Sequence, residues 1–383
     1  MKIALITKRV SSSLGGAERV SVHVSRKLAA SGHEVHLFTS HLDTGIDNVY
    51  CHRIRVSRWL SPWRLFSFQR KVAERLRSEH FDIVYSLCQV YPVDVYRAGD
   101  GVHRHWMKVQ YPNAAYRWMK YLTSLVHLAM RTLEGRICSN GNCRHFITNS
   151  KLVRTQLMDY FGLPEEKISV IYNGVDHGLF NPDVRKHRGL LRKECGIGEG
   201  GNVILFASNN WERKGLATIL EAISMSAKTD VSLIVAGRGD RKRYLSFARK
   251  LGIDPGRLFF IGRVKDIERY YGASDIFILP SIYEPFANVC LEAMACGLPV
   301  ITAKGNGASE IIVNGENGFV LEDWRDSERL SELIQSLFDP AVREEIGGFA
   351  AETARKYTWD RHVEETNEVL ERVREDISRK KDK

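Results

Sequence analysis

The chain of 383 residues is 44% apolar and 27% charged, with 30 glycines and 10 prolines. That excludes collagen-like and wholly disordered chains and leaves room for two ordinary domains. The formal net charge of +10 points to an anionic partner, and the excess is lopsided: Met1–Val175 holds 25 Lys and Arg against 13 Asp and Glu, Asp176–Lys383 31 against 33.

Strand-like and helix-like runs alternate along the chain. Ile3–Thr7 is a short apolar run, followed by a basic, serine- and glycine-rich loop to Gly16, and Ala17–Ala30 is expected as a helix stopped by Gly32. The run before Lys8 and Arg9 is too short for a signal peptide, and no window approaches the ~18–20 apolar residues of a membrane span. Glu34–Thr39, Ile83–Ser86 and Phe146–Thr148 continue the strand series, and Ile168–Tyr172 precedes the turn pair Asn173-Gly174. Strands are then expected at Val203–Ala207, Ser232–Ala236, Leu258–Ile261, Ile276–Leu279 and Pro299–Thr302. Helices are expected at Leu216–Ser226, Lys242–Leu251, Ile267–Ala273 and Asn288–Ala295.

Near-continuous apolar strands separated by helices predict parallel sheets covered on both faces, here two doubly wound α/β domains at 1–173 and 174–359. A charged terminal helix at 360–383 is expected to cross back to the first domain. The seven cysteines, at 51, 88, 138, 143, 195, 290 and 296, include no Cys-x-x-Cys pair. Reduced thiols in a cytosolic protein without a metal site are expected.

Ligands of such sheets bind at the carboxyl ends of strands, on glycine-rich turns and helix N-termini. Three loops stand out. Gly15-Gly16-Ala17-Glu18 opens the first helix, and paired glycines there let backbone approach a ligand, or merely meet the loop's need for positive φ. It is not the Gly-x-Gly-x-x-Gly of dinucleotide binding. After Val203–Ala207, Arg213 and Lys214 stand at a helix start, where the dipole disfavours cations, so a diphosphate would suit them. After Ile276–Leu279 comes Tyr283-Glu284-Pro285-Phe286-Ala287-Asn288-Val289, with Glu292 eight positions beyond Glu284. On one continuous helix both carboxylates would face the same way within ~80°, suited to vicinal sugar hydroxyls. Backbone N–H groups at Phe286, Ala287, Asn288 and Val289 are expected to be open to phosphate or sugar oxygens.

These loops occur in an order that resembles the retaining, nucleotide-sugar-dependent GT-B glycosyltransferases of family four, including lipopolysaccharide-core glucosyltransferases. The matching pieces are Gly15-Gly16-Ala17-Glu18, Asn149-Ser150, Asn173-Gly174-Val175-Asp176, Arg213-Lys214-Gly215, Gly262-Arg263-Val264, Glu284-Pro285-Phe286 through Glu292-Ala293-Met294-Ala295, Gly297-Leu298-Pro299-Val300, and Gly307 with Glu310. Ala287 departs from the glycine common after Glu-Pro-Phe. The resemblance implies two Rossmann-like domains facing across a cleft, acceptor in the first and donor in the second. It also implies that Arg213 and Lys214 neutralise the leaving diphosphate, Glu284 holds sugar hydroxyls and Glu292 the ribose. Gly16 would approach the phosphates and Arg263 would line the base pocket. Such enzymes usually need no metal, and the chain has no Asp-x-Asp; the nucleotide sugar, best UDP-glucose, is a co-substrate rather than a cofactor.

On the acceptor side, Asp100 or His103 is expected to receive the hydroxyl proton or to stabilise positive charge developing at the sugar, and the resemblance favours Asp100; an aspartate in a glycine turn is the alternative. Residues 103–131 contain Arg104, Lys108, Arg117, Lys120 and Arg131, no acid, and the interleaved Trp106, Tyr111, Tyr116, Trp118 and Tyr121. On a helix, Arg117, Lys120, Ser124 and Arg131 form one stripe beside an apolar one, a pattern suited to an anionic membrane surface, or to a helix buried on one face. Arg58-Trp59-Leu60 and Trp63-Arg64-Leu65-Phe66 add a second such cluster. A peripheral enzyme on the cytoplasmic face of the inner membrane, acting on a glycan or glycolipid of the lipopolysaccharide core, is expected, with no nucleic-acid partner. A GT-B mannosyl-, galactosyl- or N-acetylglucosaminyltransferase for another polysaccharide, a GT-B-type sugar-nucleotide epimerase and a non-catalytic membrane-binding protein are the rival readings.

Overall fold

A computed structural model describes the chain except for residues 11–15, 44, 57–60, 140, 199, 227–229 and 382–383. It divides into two compact units, one of Met1–Gly174 with Trp359–Lys383, the other of Val175–Thr358. In chain order the first unit runs β1 (Lys2–Val10), α1 (Gly16–Ala30), β2 (Glu34–Leu42), β3 (Tyr50–Arg53), α2 (Ser61–Ser78), β4 (Ile83–Ser86), β5 (Val93–Arg97), α3 (His103–Gln110), α4 (Ala114–Thr123), α5 (Leu125–Ile137), β6 (Cys143–Thr148), α6 (Lys151–Phe161) and β7 (Ile168–Val170). The second runs α7 (Arg188–Cys195), β8 (Asn202–Ala207), α8 (Leu216–Met225), β9 (Val231–Ala236), α9 (Arg241–Lys250), β10 (Leu258–Gly262), α10 (Ile267–Ala273), β11 (Ile276–Leu279), α11 (Asn288–Ala295), β12 (Val300–Ala303), β13 (Gly318–Leu321), α12 (Ser327–Ser336) and α13 (Pro340–Ala354). The last helix, α14 (Trp359–Lys381), belongs to the first unit.

Both sheets are parallel, as the apolar strands require. The first has the order β3-β2-β1-β4-β5-β6-β7 and the second β10-β9-β8-β11-β12-β13. In each, the strand order reverses beside the first strand, between β1 and β4 and between β8 and β11. That reversal opens a crevice at the carboxyl ends. The period-two alternation of β1 feeds two cores. Ile3 and Leu5 pack with Val20, Val24 and Leu28 of α1, whereas Ala4 and Ile6 pack with Phe68 and Val72 of α2.

The sequence shows α14 as charged, and its apolar residues fall on one stripe: Val363, Leu370 and Val373 enter the core that holds Ile3 and Leu5. Trp359 stacks on His23 with ring centroids 4.7 Å apart. His362 Nδ1 donates to the Tyr172 carbonyl at 2.7 Å, and burial pushes its pKa down to about 3, so it sits neutral in the interior. Lys27 of α1 pairs with Asp360. The helix is thus a structural layer of the first unit.

Leu370 is fully buried. Leu370→Ala is expected to cost about 2–5 kcal/mol and to lower the calorimetric melting temperature. Glu375→Ala, at an exposed i,i+4 pair with Arg379, should stay within about 0.5 kcal/mol of the parent.

Candidate functional site

The loop after β8 turns tightly, with the Lys214 N–H donating to the Asn210 carbonyl at 3.1 Å. The turn leaves through Gly215 at φ +76°, where a Cβ would stand 2.3 Å from the Pro280 carbonyl oxygen. Only glycine lets this loop lie against the one after β11. The loops are then tied together: the Ile282 N–H donates to the Arg213 carbonyl at 3.0 Å, and Arg213 Nη1 donates to the Tyr283 carbonyl at 3.2 Å. At this reversal of strand order Lys214 and Arg213 converge on one carboxylate oxygen, Oε2 of Glu284, the latter at 3.1 Å.

Burial of Glu284 would raise its pKa, but the Lys214 and Arg213 charges outweigh it and hold the carboxyl below its usual range. Burial lowers the pKa of Lys214, with Glu284 partly offsetting the loss. The triad carries a net positive charge, with Lys214 buried and Arg213 and Glu284 partly exposed.

Glu284 does not belong to a helix. It forms an isolated parallel bridge with Asn306, its N–H donating to the Gly305 carbonyl and its carbonyl accepting from the Gly307 N–H, both at 2.9 Å. Helix α11 starts four residues later, so Glu284 stands ahead of the helix and the same-face relation of one continuous helix does not apply to Glu284 and Glu292. Glu292 lies in the second turn of α11 with Oε2 3.1 Å from the Tyr271 hydroxyl. A second correction concerns the helix mouth. The Ala287 N–H is taken by the side-chain oxygen of buried Asn306 at 3.1 Å, so it is not open to a ligand. Ala287 has φ −82°, ordinary for any L-residue, so the departure from glycine imposes no backbone strain there. Phe286 is buried, Asn288 and Val289 half-buried. Arg263, at the end of β10, reaches Asn209 after β8, Nε to Oδ1 3.3 Å. Asn306, with no signal in the spacing, is the residue that the sequence reading missed: its amide also donates to Thr302 Oγ1 at 2.9 Å.

In the first unit Gly16 opens α1, and Gly15 and residues 58–60 lie outside the described residues. Asp100 is exposed in the turn that follows β5. His103 is a poor proton acceptor, because burial and neighbouring His127 push its pKa down to about 4. The stretch 103–131 is not one amphipathic helix. Ser124 ends α4 and caps α5, which breaks the expected basic stripe. Arg117 Nη1 turns back to the Tyr111 carbonyl at 2.8 Å, Lys120 lies over Tyr116 at 5.0 Å, and Arg131 lies over Trp118 at 4.5 Å. Arg104 lies over Phe161 at 4.5 Å. Trp106 is half-buried and Lys108 exposed. Leu122 and Leu125 at the α4–α5 junction are 75% and 57% exposed, with Trp118 and Met119 beside them, an apolar surface that folding alone does not explain. Beneath it Glu134 of α5 accepts from the His103 and Arg104 N–H groups at 2.6 and 3.2 Å, capping α3, and burial raises its pKa to about 7.

Among the described residues no group of three or more His, Cys, Asp or Glu is placed to hold a metal ion, and no helix is long and apolar enough to cross a membrane.

Residues 14–179 match the family described as Glycosyltransferase Family 4, and 188–351 match Glycosyl transferases group 1. The chain is 26% identical to an uncharacterised glycosyltransferase of Methanocaldococcus jannaschii, over 99% of this chain and 100% of that one. Its fold is similar to that of WaaG, a glycosyltransferase involved in lipopolysaccharide biosynthesis (TM-score 0.82, 20% identity, 96% and 99% of the chains covered). It is also similar to that of HepE from Anabaena, solved with UDP-glucose (TM-score 0.73, 20% identity, 97% and 99% covered). The chain is a GT-B glycosyltransferase related to these two families.

Glu134 offers a pH test. A carboxyl whose pKa is higher folded than unfolded stabilises the fold at low pH, and that contribution is lost as pH rises from about 4.5 to about 7. Glu134→Gln removes the ionisation while keeping an acceptor for α3. Its melting temperature relative to the parent should therefore improve between pH 5 and pH 8, by an amount equivalent to as much as about 3 kcal/mol. A pH-independent difference would show that the carboxyl titrates normally.

Proposed function

We propose that this GT-B glycosyltransferase moves a hexose from a nucleoside-diphosphate sugar, UDP-glucose in the most specific reading, to a membrane-associated glycan or glycolipid, with retention at the transferred carbon. The observation that carries the donor half is the convergence of Lys214 and Arg213 on Glu284 at the reversal of strand order. The UDP-glucose bound by HepE supports it.

A leaving diphosphate gathers negative charge as its bond to the sugar lengthens. Cations already fixed at that point stabilise the transition state without reorganising, and supply charge that would otherwise come from a divalent metal. A bound diphosphate competes with Glu284 for Lys214 and Arg213. Glu284 is then relieved of one ion pair and accepts hydrogen bonds from sugar hydroxyls. Glu292, through its place in α11, takes the ribose hydroxyls, and Arg263 borders the base. Asp100 receives the acceptor proton, because it is exposed at a strand end whereas His103 is held neutral and weakly basic.

The acceptor half rests on the exposed apolar junction of α4 and α5 with its flanking cations. Trp118, Leu122 and Leu125 would enter the lipid interface while the exposed Lys108 meets anionic headgroups, placing the enzyme peripherally on the cytoplasmic face of the inner membrane. The lipopolysaccharide role stated for WaaG supports a lipid-linked core glycan as acceptor.

Purified protein offered UDP-, GDP- and ADP-hexoses with a lipid-linked glycan should transfer glucose from UDP-glucose. Lys214→Ala should lower the rate about 10²–10³-fold. Interconversion of two nucleotide sugars without an acceptor would favour an epimerase, and failure to consume any donor would end the reading. Sedimentation with phosphatidylglycerol vesicles should fall several-fold in a Leu122→Asp/Leu125→Asp variant and with rising salt. Unchanged sedimentation would remove α4–α5 as the membrane face.

A further inference from the structure

The first unit contains a cavity of about 850 Å³ apart from the α3–α5 surface and the turn that holds Asp100. It lies along the carboxyl edge of the sheet. Lys8 and Arg9 come from the end of β1, Ser40 and His41 from the end of β2, Arg53 and Arg55 from the end of β3 and just beyond, and Arg64 from the first turns of α2. The parallel register brings these ends together, setting Arg9 beside His41 and Arg53 beside Thr39.

Among the described residues five cations line this cavity, and no carboxylate does. Lys8 donates to the amide oxygen of Gln89 at 2.7 Å, which neutralises nothing. Among the described residues Lys8, Arg9, Arg53 and Arg55 form no ion pair. Asp43, shortly after β2, is paired with His41, Nε2 to Oδ1 2.8 Å. This contrasts with α3–α5 in the same unit, where rings and carbonyls occupy Arg104, Arg117, Lys120 and Arg131. Like charges gathered in a cavity repel one another and focus the field on what enters. Val56, Leu65 and the buried Phe68 provide an apolar wall beside them.

We infer that this cavity binds a phosphorylated part of the acceptor glycan, with phosphate oxygens on Arg9, Arg53 and Arg55 and the sugar body against Leu65 and Phe68. The inference rests on the proposal that the first unit takes the acceptor. Phosphomonoesters fit better than carboxylates because each brings a charge of about −1.5 to −2, so that two of them nearly balance the cluster. Guanidinium forks also bind phosphate in bidentate fashion. The position fits a substrate role: β4 separates β1 from β5, so Asp100 lies two strand spacings, roughly 10 Å, along the same edge from the end of β1. The charge would thus anchor the acceptor at a distance from its reacting hydroxyl, fixing its orientation without taking part in the chemistry.

Titration calorimetry of the full chain with glucose 1,6-bisphosphate, glucose, inorganic phosphate and phosphatidylglycerol vesicles tests this. The bisphosphate should bind at least about tenfold more tightly than glucose or inorganic phosphate. Its affinity should weaken with salt, and fall at least about tenfold in Arg53→Ala/Arg55→Ala. Lys214→Ala should keep the bisphosphate binding, which separates this cavity from the donor site. UDP titration reports the donor site independently, so loss of UDP binding by the parent would fail the donor reading and leave the cavity result intact. Circular dichroism and retained UDP binding establish that the double variant is folded. The inference is overturned if the folded double variant binds the bisphosphate like the parent or if only Lys214→Ala abolishes binding. It is also overturned if inorganic phosphate binds as tightly as the sugar bisphosphate, which marks a free-anion site. Vesicles losing affinity in the double variant while the bisphosphate never binds would mark a lipid-headgroup site and overturn it as well.

Discussion

An ammonium removed from water is tolerated only beside a negative charge, and the second unit places one there. Lys214 is nearly buried, and Glu284 is the group that holds it charged. This pair explains features that are otherwise unconnected. Gly215 lacks a side chain because its loop must press on Pro280 for Lys214 to arrive. Residues 305–307 clamp the Glu284 peptide from both sides. Asn306 spends its buried amide on Ala287, Ala308 and Thr302, which keeps the clamp in place. Such a site is rigid before ligand arrives, and rigidity is what lets fixed charge act on a transition state rather than on a ground state.

Each unit solves the same packing problem in the same way, with a parallel sheet whose strand order reverses beside its first strand. The reversal leaves loops diverging at one edge, and both units place their charged residues there. In the first unit the charge is spread over the ends of β1 and β3 and the start of α2; in the second it is focused on one carboxylate. Wide spacing suits a large anionic group, whereas convergence suits a single diphosphate.

Much of the architecture was legible because buried parallel strands leave unbroken apolar runs. Ile83–Ser86 and Ile276–Leu279 are strands over the expected residues, and α10 and α11 keep theirs. β3 and β13 were not legible. Tyr50-Cys51-His52-Arg53 is a polar segment at the edge of its sheet, and Gly318-Phe319-Val320-Leu321 opens on a glycine at the edge of the other, so each becomes a strand by pairing with a neighbour rather than by its own pattern. The break at Ser124 was also hidden, since helical periodicity runs through a residue whose hydroxyl can start a new helix. Arg213, Lys214, Glu284 and Glu292 stood out because each follows a strand within one loop and helix. Asn306 and Glu134 did not, because their partners come from segments 19 and 31 residues away.

The amino-acid order by itself determined the class of fold, the alternation of strand and helix, and the loops that carry the cations and carboxylates, all of which are local consequences of apolar spacing and turn chemistry. Only the tertiary structure decided which charges are available. The excess of basic residues in the first half is one number in the sequence. Folding ties up some of those cations on aromatic rings and carbonyls, and leaves Lys8, Arg9, Arg53 and Arg55 around a cavity without an ion pair among the described residues. That division depends on distances between residues far apart in the chain, and electrostatic energy depends on those distances rather than on composition.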